Sequence, residues 1–161
     1  MEKAFDSIDR KTLWKLLEDH GIQEKIISMV QAVYEPSTTC QVINNGTLTE
    51  PFNIVTGVRQ GCLLSPFLFL IAMDWIMTRT TERHKRGVQW LLFKQLEDID
   101  FMDDVALLSH RHSDLKEKIT EMSNEAEKLG LHLNKGKTKV LRVNNTSGDT
   151  IKLKGEDLED M

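Results

Sequence analysis

Asp100-Phe101-Met102-Asp103-Asp104 is the stretch that decides the fold, and the apolar run Val105-Ala106-Leu107-Leu108 follows it directly. Two like charges about 4 Å apart repel by roughly 1 kcal/mol in water and by more at lower dielectric, so this pair is costly unless a cation joins it. The apolar runs on both sides predict two strands, with Asp103 and Asp104 at or near the tip of a hairpin. Such a pair suits a hard cation such as Mg²⁺. An ordinary surface turn is the alternative.

A glycine-containing loop before an apolar helix is the second informative feature. It reads Gly57-Val58-Arg59-Gln60-Gly61-Cys62-Leu63-Leu64-Ser65-Pro66. Ser65 as N-cap and Pro66 as first helical residue predict a helix from Pro66 to Arg86, which Gly87 ends. The loop glycines permit close approach of a ligand, and the Gln60 amide is both donor and acceptor. A loop without chemical function is the alternative, and the Asp pair downstream argues against it.

The glycine-containing loop with its helix resembles motif B of reverse transcriptases, and the Asp103-Asp104 stretch resembles motif C. The resemblance is specifically to the reverse transcriptases of non-LTR (LINE-like) retrotransposons. The stretch Glu2-Lys3-Ala4-Phe5-Asp6-Ser7-Ile8-Asp9-Arg10 resembles the family from motif A onward. Gly130-Leu131-His132-Leu133-Asn134 with Lys137-Thr138-Lys139 resembles motif D. The blocks stand in the family's order from Met1 to about Leu158. The resemblance implies an α+β fold: a polymerase palm subdomain, with a small antiparallel sheet packed against helices, truncated at both ends.

The resemblance also implies roles for single residues. Asp103 and Asp104 correspond to the motif C aspartates that bind catalytic Mg²⁺ in a two-ion site. Phe5 corresponds to the bulky residue that crowds the sugar 2′ position and so favours deoxynucleotides. Lys137 or Lys139 corresponds to a motif D lysine proposed to protonate pyrophosphate, although both are alternatively solvated strand residues.

The motif B loop is expected to contact the substrates. Gln60 and Gly61 correspond to positions that touch the incoming nucleotide, and Ser65 and Pro66 correspond to positions near the template. Arg59 is expected to hold phosphate or to be an ordinary surface residue.

One departure concerns motif A, which in the family reads Asp-Phe-x-Lys-Ala-Phe-Asp. The first Asp, the third metal ligand, would fall immediately before Met1, so we expect an incomplete metal site and no activity of the chain alone. Glu2 is a poor substitute, and Asp6 and Asp9 lie too far along. Residues 1–161 are thus expected to form a partial palm domain without fingers, thumb or endonuclease. In the complete enzyme the partners would be an RNA template, a DNA primer and dNTPs.

Composition limits the other possibilities. The 161 residues are 40% hydrophobic, which predicts one domain with a modest core. Lys and Arg total 21 against 25 Asp and Glu, a net charge of −4, which is low for a complete nucleic-acid polymerase. Basic residues form two clusters, the first of Arg79, Arg83, Lys85 and Arg86 and the second of Lys135, Lys137, Lys139 and Arg142. Alternatively, the first cluster is favourable charge at the C-terminal end of a helix. The acidic tail 149–160 is expected to repel nucleic acid.

Two cysteines and no signal peptide indicate a reducing, intracellular location, nuclear or cytoplasmic, without a membrane segment. Trp14, Trp75 and Trp90 are expected in the core or at a former interdomain surface rather than as stacking side chains.

Periodicity and turn signals predict the remaining elements. Asp9 is expected to cap a helix over 10–19, and Ser113 is expected to cap a helix ending at Leu129. A second helix over 23–34 is expected to bury Ile26, Ile27, Val30 and Val33. Asn45-Gly46 predicts a hairpin turn. The remaining predicted strands are 88–93, 96–101, 105–109 and 138–143.

Three functions remain at this stage: a reverse transcriptase fragment inactive alone, a fragment completed by further chain, and a domesticated non-catalytic module that binds RNA or protein.

Overall fold

In the computed structural model, the described residues are 1, 3–34, 39–82, 85–101, 104–144 and 149–161. They form two compact units, one of residues 3–72 and one of residues 1–2 with 73–161. Five α-helices lie in this part of the chain: α1 (Ala4–Ser7), α2 (Arg10–Asp19), α3 (Glu24–Tyr34), α4 (Ser65–Thr81) and α5 (His112–Lys128). A 3₁₀ helix covers Lys135–Lys137.

The described strands are short and pair two by two. The first unit contains β1 (Thr39–Cys40), β2 (Ile43–Asn44), β3 (Thr47–Leu48) and β4 (Phe52–Asn53), paired antiparallel as β1–β4 and β2–β3. The second contains β5 (Val88–Leu91), β6 (Lys94–Leu96), β7 (Asp98–Phe101), β8 (Asp104–Leu107), β9 (Lys139–Val140), β10 (Lys152–Leu153), β11 (Glu156–Asp157) and β12 (Glu159–Asp160). Its antiparallel pairs are β5–β6, β7–β8 and β10–β11, and β9 pairs with β12 in parallel. The α+β class is therefore confirmed, with separate two-stranded ladders in place of one continuous sheet.

The predicted caps and turns show where local sequence decides structure. Asp9 caps α2, because its Oδ1 accepts hydrogen bonds from the Thr12 backbone amide at 2.8 Å and the Thr12 hydroxyl at 2.6 Å. The Asn45-Gly46 turn between β2 and β3 has φ of 50° and 81°, the positive values that a type I′ hairpin turn requires. Both predictions are confirmed.

The predicted helix 66–86 begins one residue earlier than expected and ends at Thr81 instead of Arg86. Ser65 is the first helical residue, and its hydroxyl donates to the Arg59 carbonyl at 2.6 Å instead of capping the helix. α4 ends at Thr81, and Arg86, the expected last helical residue, binds elsewhere: its backbone amide donates to Glu97, and its guanidinium pairs with Glu117 and Glu121 at 2.8 and 3.3 Å.

One expectation for α5 fails, and one for α3 fails in part. Ser113 lies inside α5, which begins after Arg111. Ile26 and Val33 are half-exposed, whereas Ile27 and Tyr34 carry the buried face of α3. The exposed side chains lie on the face of α3 that no other described element covers.

Each unit has its own buried side chains. In the first unit, the buried apolar side chains include Leu13, Leu16 and Leu17 of α2, Ile27 of α3 and Leu68 of α4. In the second, Ile119 of α5 joins Val140, Ile151, Leu153 and Leu158 in one apolar cluster. The C-terminal segment is therefore anchored in the core of the second unit by three of its apolar side chains.

Candidate active site

The β7–β8 hairpin carries the central candidate. Asp104 opens β8 and lies opposite Phe101, and Asp100 lies opposite Val105. Because side chains alternate between the faces of a strand, Asp104 and Phe101 share one face and Asp100 shares the other with Val105. The hairpin predicted from the sequence is confirmed, while Asp103 at its connection lies outside the described residues.

Asp104 has the environment of an available ligand. Its side chain is exposed and forms no hydrogen bond or ion pair within the described part of the chain. A carboxylate oxygen without a cationic partner is a suitable donor for a hard divalent ion. Across residues 1, 3–34, 39–82, 85–101, 104–144 and 149–161, no three His, Cys, Asp or Glu side chains are grouped to hold a metal. Asp104 alone is thus one ligand and not a complete site.

A buried lysine holds the open end of this hairpin. The Lys118 side chain is fully buried and donates to the Glu97 carboxylate at 2.5 Å, the Glu97 carbonyl at 3.1 Å and the Leu108 carbonyl at 2.8 Å. Glu97 and Leu108 flank β7 and β8, and the Leu108 amide also donates to the Glu97 carbonyl at 2.9 Å. Helix α5 therefore fixes both strand ends through one ammonium group, whose desolvation the three acceptors offset.

The pKa values of two carboxyl groups at the base of the hairpin shift in opposite directions. Burial by itself would raise the pKa of Glu97, but hydrogen bonds from Lys118 and from the Gly87 and Arg86 amides outweigh it and lower that pKa. Burial raises the pKa of Asp98, and the neighbouring Asp100 charge raises it further against the attraction of Lys118. The ionised form is favoured at Glu97 and disfavoured at Asp98.

In the first unit, α1 and the residue that follows it form backbone hydrogen bonds with the motif B loop. The Gly57 amide donates to the Ile8 carbonyl at 2.8 Å, and the Val58 amide donates to the Phe5 carbonyl at 2.6 Å. Gly57 has φ of 81°, and a Cβ there would lie 2.7 Å from the Asp6 carbonyl oxygen and 2.8 Å from the Phe5 carbonyl oxygen. Only glycine therefore fits at this contact without a shift of the backbone.

Near this pairing lie two predicted nucleotide-binding residues, Phe5 and Gln60. Phe5 stacks on Phe69 of α4, with ring centroids 5.1 Å apart and an interplanar angle of 24°. The Gln60 amide nitrogen donates to Asp6 Oδ1 at 3.1 Å, one residue from Phe5. The ring of Phe5 is thus supported from behind by a helix, and the side chain of Gln60 is exposed at the same segment.

The other motif B residues lie at the surface or at the helix start. Arg59, Gly61 and Pro66 are exposed, whereas Ser65 is buried and lies 3.0 Å from the Tyr34 hydroxyl. Gly61 has φ of 83° and open space where a side chain would stand. Burial of Ser65 makes it a support for the helix start in this unit.

Around motif D, the structure distinguishes the two candidate lysines. Lys137 ends the 3₁₀ helix, its amide donating to Asn134 Oδ1 at 3.1 Å, and its ammonium group is exposed without an ion pair among the described residues. Lys139 forms an ion pair with Glu159 at 3.2 Å. Of the two, Lys137 is the one whose charge is available.

The acidic tail forms ion pairs with three of the four residues of the second basic cluster, all except Lys137. Lys135 pairs with Glu156 at 2.5 Å, and Arg142 pairs with Asp160 at 3.1 Å, in addition to the Lys139–Glu159 pair. The tail is therefore an integral part of the second unit, although its predicted repulsion of nucleic acid stays a prediction.

The structure joins Gln60 to Asp6, the neighbour of Phe5 in the chain, in the first unit, and it places Asp104 and Lys137 in the second. Glu2, which the motif A comparison considered, lies outside the described residues. Two supporting residues were missed from the sequence: Arg10, whose Nε donates to the Gly57 carbonyl at 2.7 Å, and Lys118. Lys118 lies on the apolar face of α5 together with Leu115, Ile119 and Met122. A lysine on an apolar helix face is the sequence signal that could have identified it as a buried, paired residue. Nothing in the sequence marks Arg10.

A family model described as "Reverse transcriptase (RNA-dependent DNA polymerase)" matches residues 1–153. The chain is 26% identical to a Pol polyprotein from type-1 retrotransposable element R2 of Popillia japonica over 94% of this chain and 25% of that protein. It is 27% identical to the Pol polyprotein from element R2DM of Drosophila melanogaster over 85% of this chain and 13% of that protein. It also matches a 149 kDa protein of transposon TX1 of Xenopus laevis, with 36% identity over 45% of this chain and 6% of that protein.

The chain belongs to the reverse transcriptase family. The predicted resemblance to non-LTR retrotransposon enzymes is thereby confirmed, and the chain spans a quarter or less of the length of these relatives. Members of this family use divalent metal ions and act on a nucleic-acid template and primer. None of the described helices has the length and apolar character needed to cross a membrane.

Proposed function

We propose that this chain is the metal-binding and nucleotide-binding part of a longer retrotransposon polymerase that copies RNA into DNA. The observation that carries the proposal is the β7–β8 hairpin, which presents Asp104 exposed and without a partner among the described residues on a base fixed by Lys118. The match of the family model over residues 1–153 supports the same reaction.

Asp103 and Asp104 would hold the divalent ions, for which we propose Mg²⁺ because the donors are carboxylate oxygens. A divalent ion held there would supply positive charge that favours ionisation of the primer 3′-hydroxyl and departure of pyrophosphate. The role of the hairpin is positional: its paired strands keep Asp104 on the face opposite to Asp100. A metal ligand must be held within a few tenths of an ångström, and a clamped two-stranded ladder supplies that rigidity.

Phe5 is proposed to select the sugar. The Phe5 ring is stacked on Phe69 with centroids 5.1 Å apart, so it cannot rotate freely. The 2′-hydroxyl group of a ribonucleotide would therefore clash with this ring. Gln60 and Gly61 contact the incoming nucleotide in this proposal, and Arg59, which is exposed, binds its phosphates. Ser65 supports the start of α4, and Pro66 lies beside the template.

Lys137 is the proposed general acid that protonates pyrophosphate. Its exposed ammonium group has no acidic partner among the described residues, whereas Lys139 is paired with Glu159. A proton donor must be free to approach the leaving group, which favours Lys137.

The test is primer extension by the longer polyprotein that contains this chain, with Asp104→Asn compared with Asp100→Asn. Asp104→Asn should abolish extension, and Asp100→Asn, on the opposite face of the same hairpin, should retain most of it. Circular dichroism verifies that both variants fold. Extension that survives Asp104→Asn would refute the metal assignment and favour a non-catalytic RNA- or protein-binding module.

A further inference from the structure

Arg10, the first residue of α2, reaches the motif B loop and the residues that precede it. Its Nε donates to the Gly57 carbonyl at 2.7 Å, and one terminal nitrogen of the guanidinium donates to the Ile54 carbonyl at 3.3 Å. The guanidinium also lies 5.4 Å from the centre of the Tyr34 ring. Because guanidinium donors form a rigid planar fork, the two bonds together fix the backbone between these carbonyls relative to α2.

The position of Arg10 is itself constrained. Asp9, immediately before it, caps α2 and forms an isolated antiparallel bridge with Thr56. Burial lowers the pKa of Arg10, which shows that its charge is partly withdrawn from water. Among the described residues it forms no ion pair, so the two backbone carbonyls are the groups that offset its lost hydration. The guanidinium and the loop therefore stabilise each other.

A second set of contacts fixes the loop two residues further on. The Ser65 hydroxyl donates to the Arg59 carbonyl at 2.6 Å, and the same hydroxyl lies 3.0 Å from that of Tyr34, whose ring the guanidinium contacts. The carbonyls of Gly57 and Arg59 are thus both bound. Gln60 follows directly, so the place of its side chain depends on these backbone contacts.

We propose that Arg10 is a positioning residue for the incoming nucleotide, because it fixes the backbone that leads to Gln60 and Gly61. The inference rests on the proposed function, in which those two residues contact the nucleotide. Without the guanidinium, the Gly57 carbonyl loses a donor and the loop can take other positions. A displaced binding residue weakens the ground state and the transition state alike, so nucleotide affinity falls while the maximum rate changes little.

The experiment is single-turnover primer extension by the longer polyprotein over a series of dNTP concentrations, which gives the nucleotide Kd and the maximum rate separately. Arg10→Met should raise the Kd at least about fivefold, a factor that one hydrogen bond typically contributes, with the maximum rate within about twofold of wild type. Lys11→Met is the matched control, since it removes the same charge from the next, exposed residue of α2. It should leave both quantities within about twofold of wild type.

Hydrogen exchange measures the hold on the loop without catalysis. The Gly57 and Val58 amides donate to the carbonyls of Ile8 and Phe5, and in Arg10→Met they should exchange faster while α5 is unchanged. Arg10→Gln, which keeps a shorter donor, provides the same two measurements if the methionine variant does not fold.

The outcomes separate this inference from the proposed function. If Asp104→Asn abolishes extension while Arg10→Met keeps the wild-type nucleotide Kd, the inference is wrong and the function stands. If Asp104→Asn retains extension and Arg10→Met raises the Kd, the inference stands and the metal assignment falls. If wild type extends no primer, the function fails, and faster exchange confined to the loop still upholds the hold by Arg10. A lower maximum rate at unchanged Kd, unchanged exchange in the loop, or equal effects of Arg10→Met and Lys11→Met would each overturn the inference.

Discussion

Replacing Lys118 by methionine tests whether α5 holds the candidate metal-binding hairpin as the structure indicates. The substitution retains the length of the side chain and removes the ammonium group, which is fully buried. Removing one member of a buried ion pair costs about 3–5 kcal/mol, because its partner is left charged and desolvated. The Glu97 side chain is 14% exposed and keeps a hydrogen bond from the Arg86 amide, so the lower end, about 3 kcal/mol, is expected.

Urea denaturation followed by circular dichroism measures this loss. The control is Lys116→Met, an exposed lysine two residues earlier on the same helix, which should change the free energy of unfolding by less than about 0.5 kcal/mol. Glu97→Gln combined with Lys118→Met should recover part of the loss, because no unpaired charge is then buried. A loss below about 1 kcal/mol for Lys118→Met, or no recovery in the double variant, would refute the proposal that buried Lys118 stabilises the base of the hairpin.

The same variant has a pH signature. Glu97 has a lowered pKa in the folded protein, so its stabilising contribution is present above its ordinary pKa and is lost as the pH falls through the lowered value. Lys118→Met removes that contribution at neutral pH, and the difference from wild type should therefore shrink on acidification below about pH 4. A difference that is constant from pH 7 to pH 3 would contradict the assigned coupling.

Three further predictions concern backbone, charge and helix ends, all measured as free energies of unfolding. Gly57→Ala should cost about 3 kcal/mol or more, because its Cβ would clash with the Asp6 and Phe5 carbonyls. Gly61→Ala, with similar φ but open space around the Cβ, should cost about 1 kcal/mol. Equal losses would refute the close contact at Gly57. Asp98→Asn should stabilise the protein at pH 7 but not near pH 3. The pKa of Asp98 is raised in the folded protein, so ionisation of its carboxyl group lowers stability as the pH rises. A gain in stability that persists at pH 3 would exclude this cause. Asp9→Ala should destabilise by about 1 kcal/mol through loss of the α2 cap, and Asp19→Ala, at the other end of that helix, should be neutral or slightly stabilising, an order whose reversal would contradict the cap.

Elements controlled by neighbouring residues were predictable. The α2 cap at Asp9, the Asn45-Gly46 turn and the hairpin around Asp103-Asp104 each depend on interactions within a few residues, which the order of amino acids already contains. The family assignment succeeded for a related reason, since several short motifs in a set order are visible without any structure.

The errors occurred where distant residues compete with local preference. α4 ends at Thr81, and Arg86, which local preference placed in the helix, instead binds Glu97, Glu117 and Glu121. The Ser65 hydroxyl donates to the Arg59 carbonyl instead of capping the helix. No window around residues 81–86 contains those partners. Similarly, Lys137 and Lys139 are equivalent in the linear motif and differ only because the C-terminal segment brings Glu159 to one of them.

The amino-acid sequence by itself determined the family, the α+β class, the short-range turns and caps, and the residue types of the candidate site. Tertiary structure alone decided which charges are neutralised, that Lys118 clamps the hairpin through Glu97 and Leu108, and that Gly57 touches the backbone at Asp6. The physical reason is range. Capping and turn preferences act over three or four residues, whereas burial and ion pairing depend on groups that only folding brings within a few ångströms.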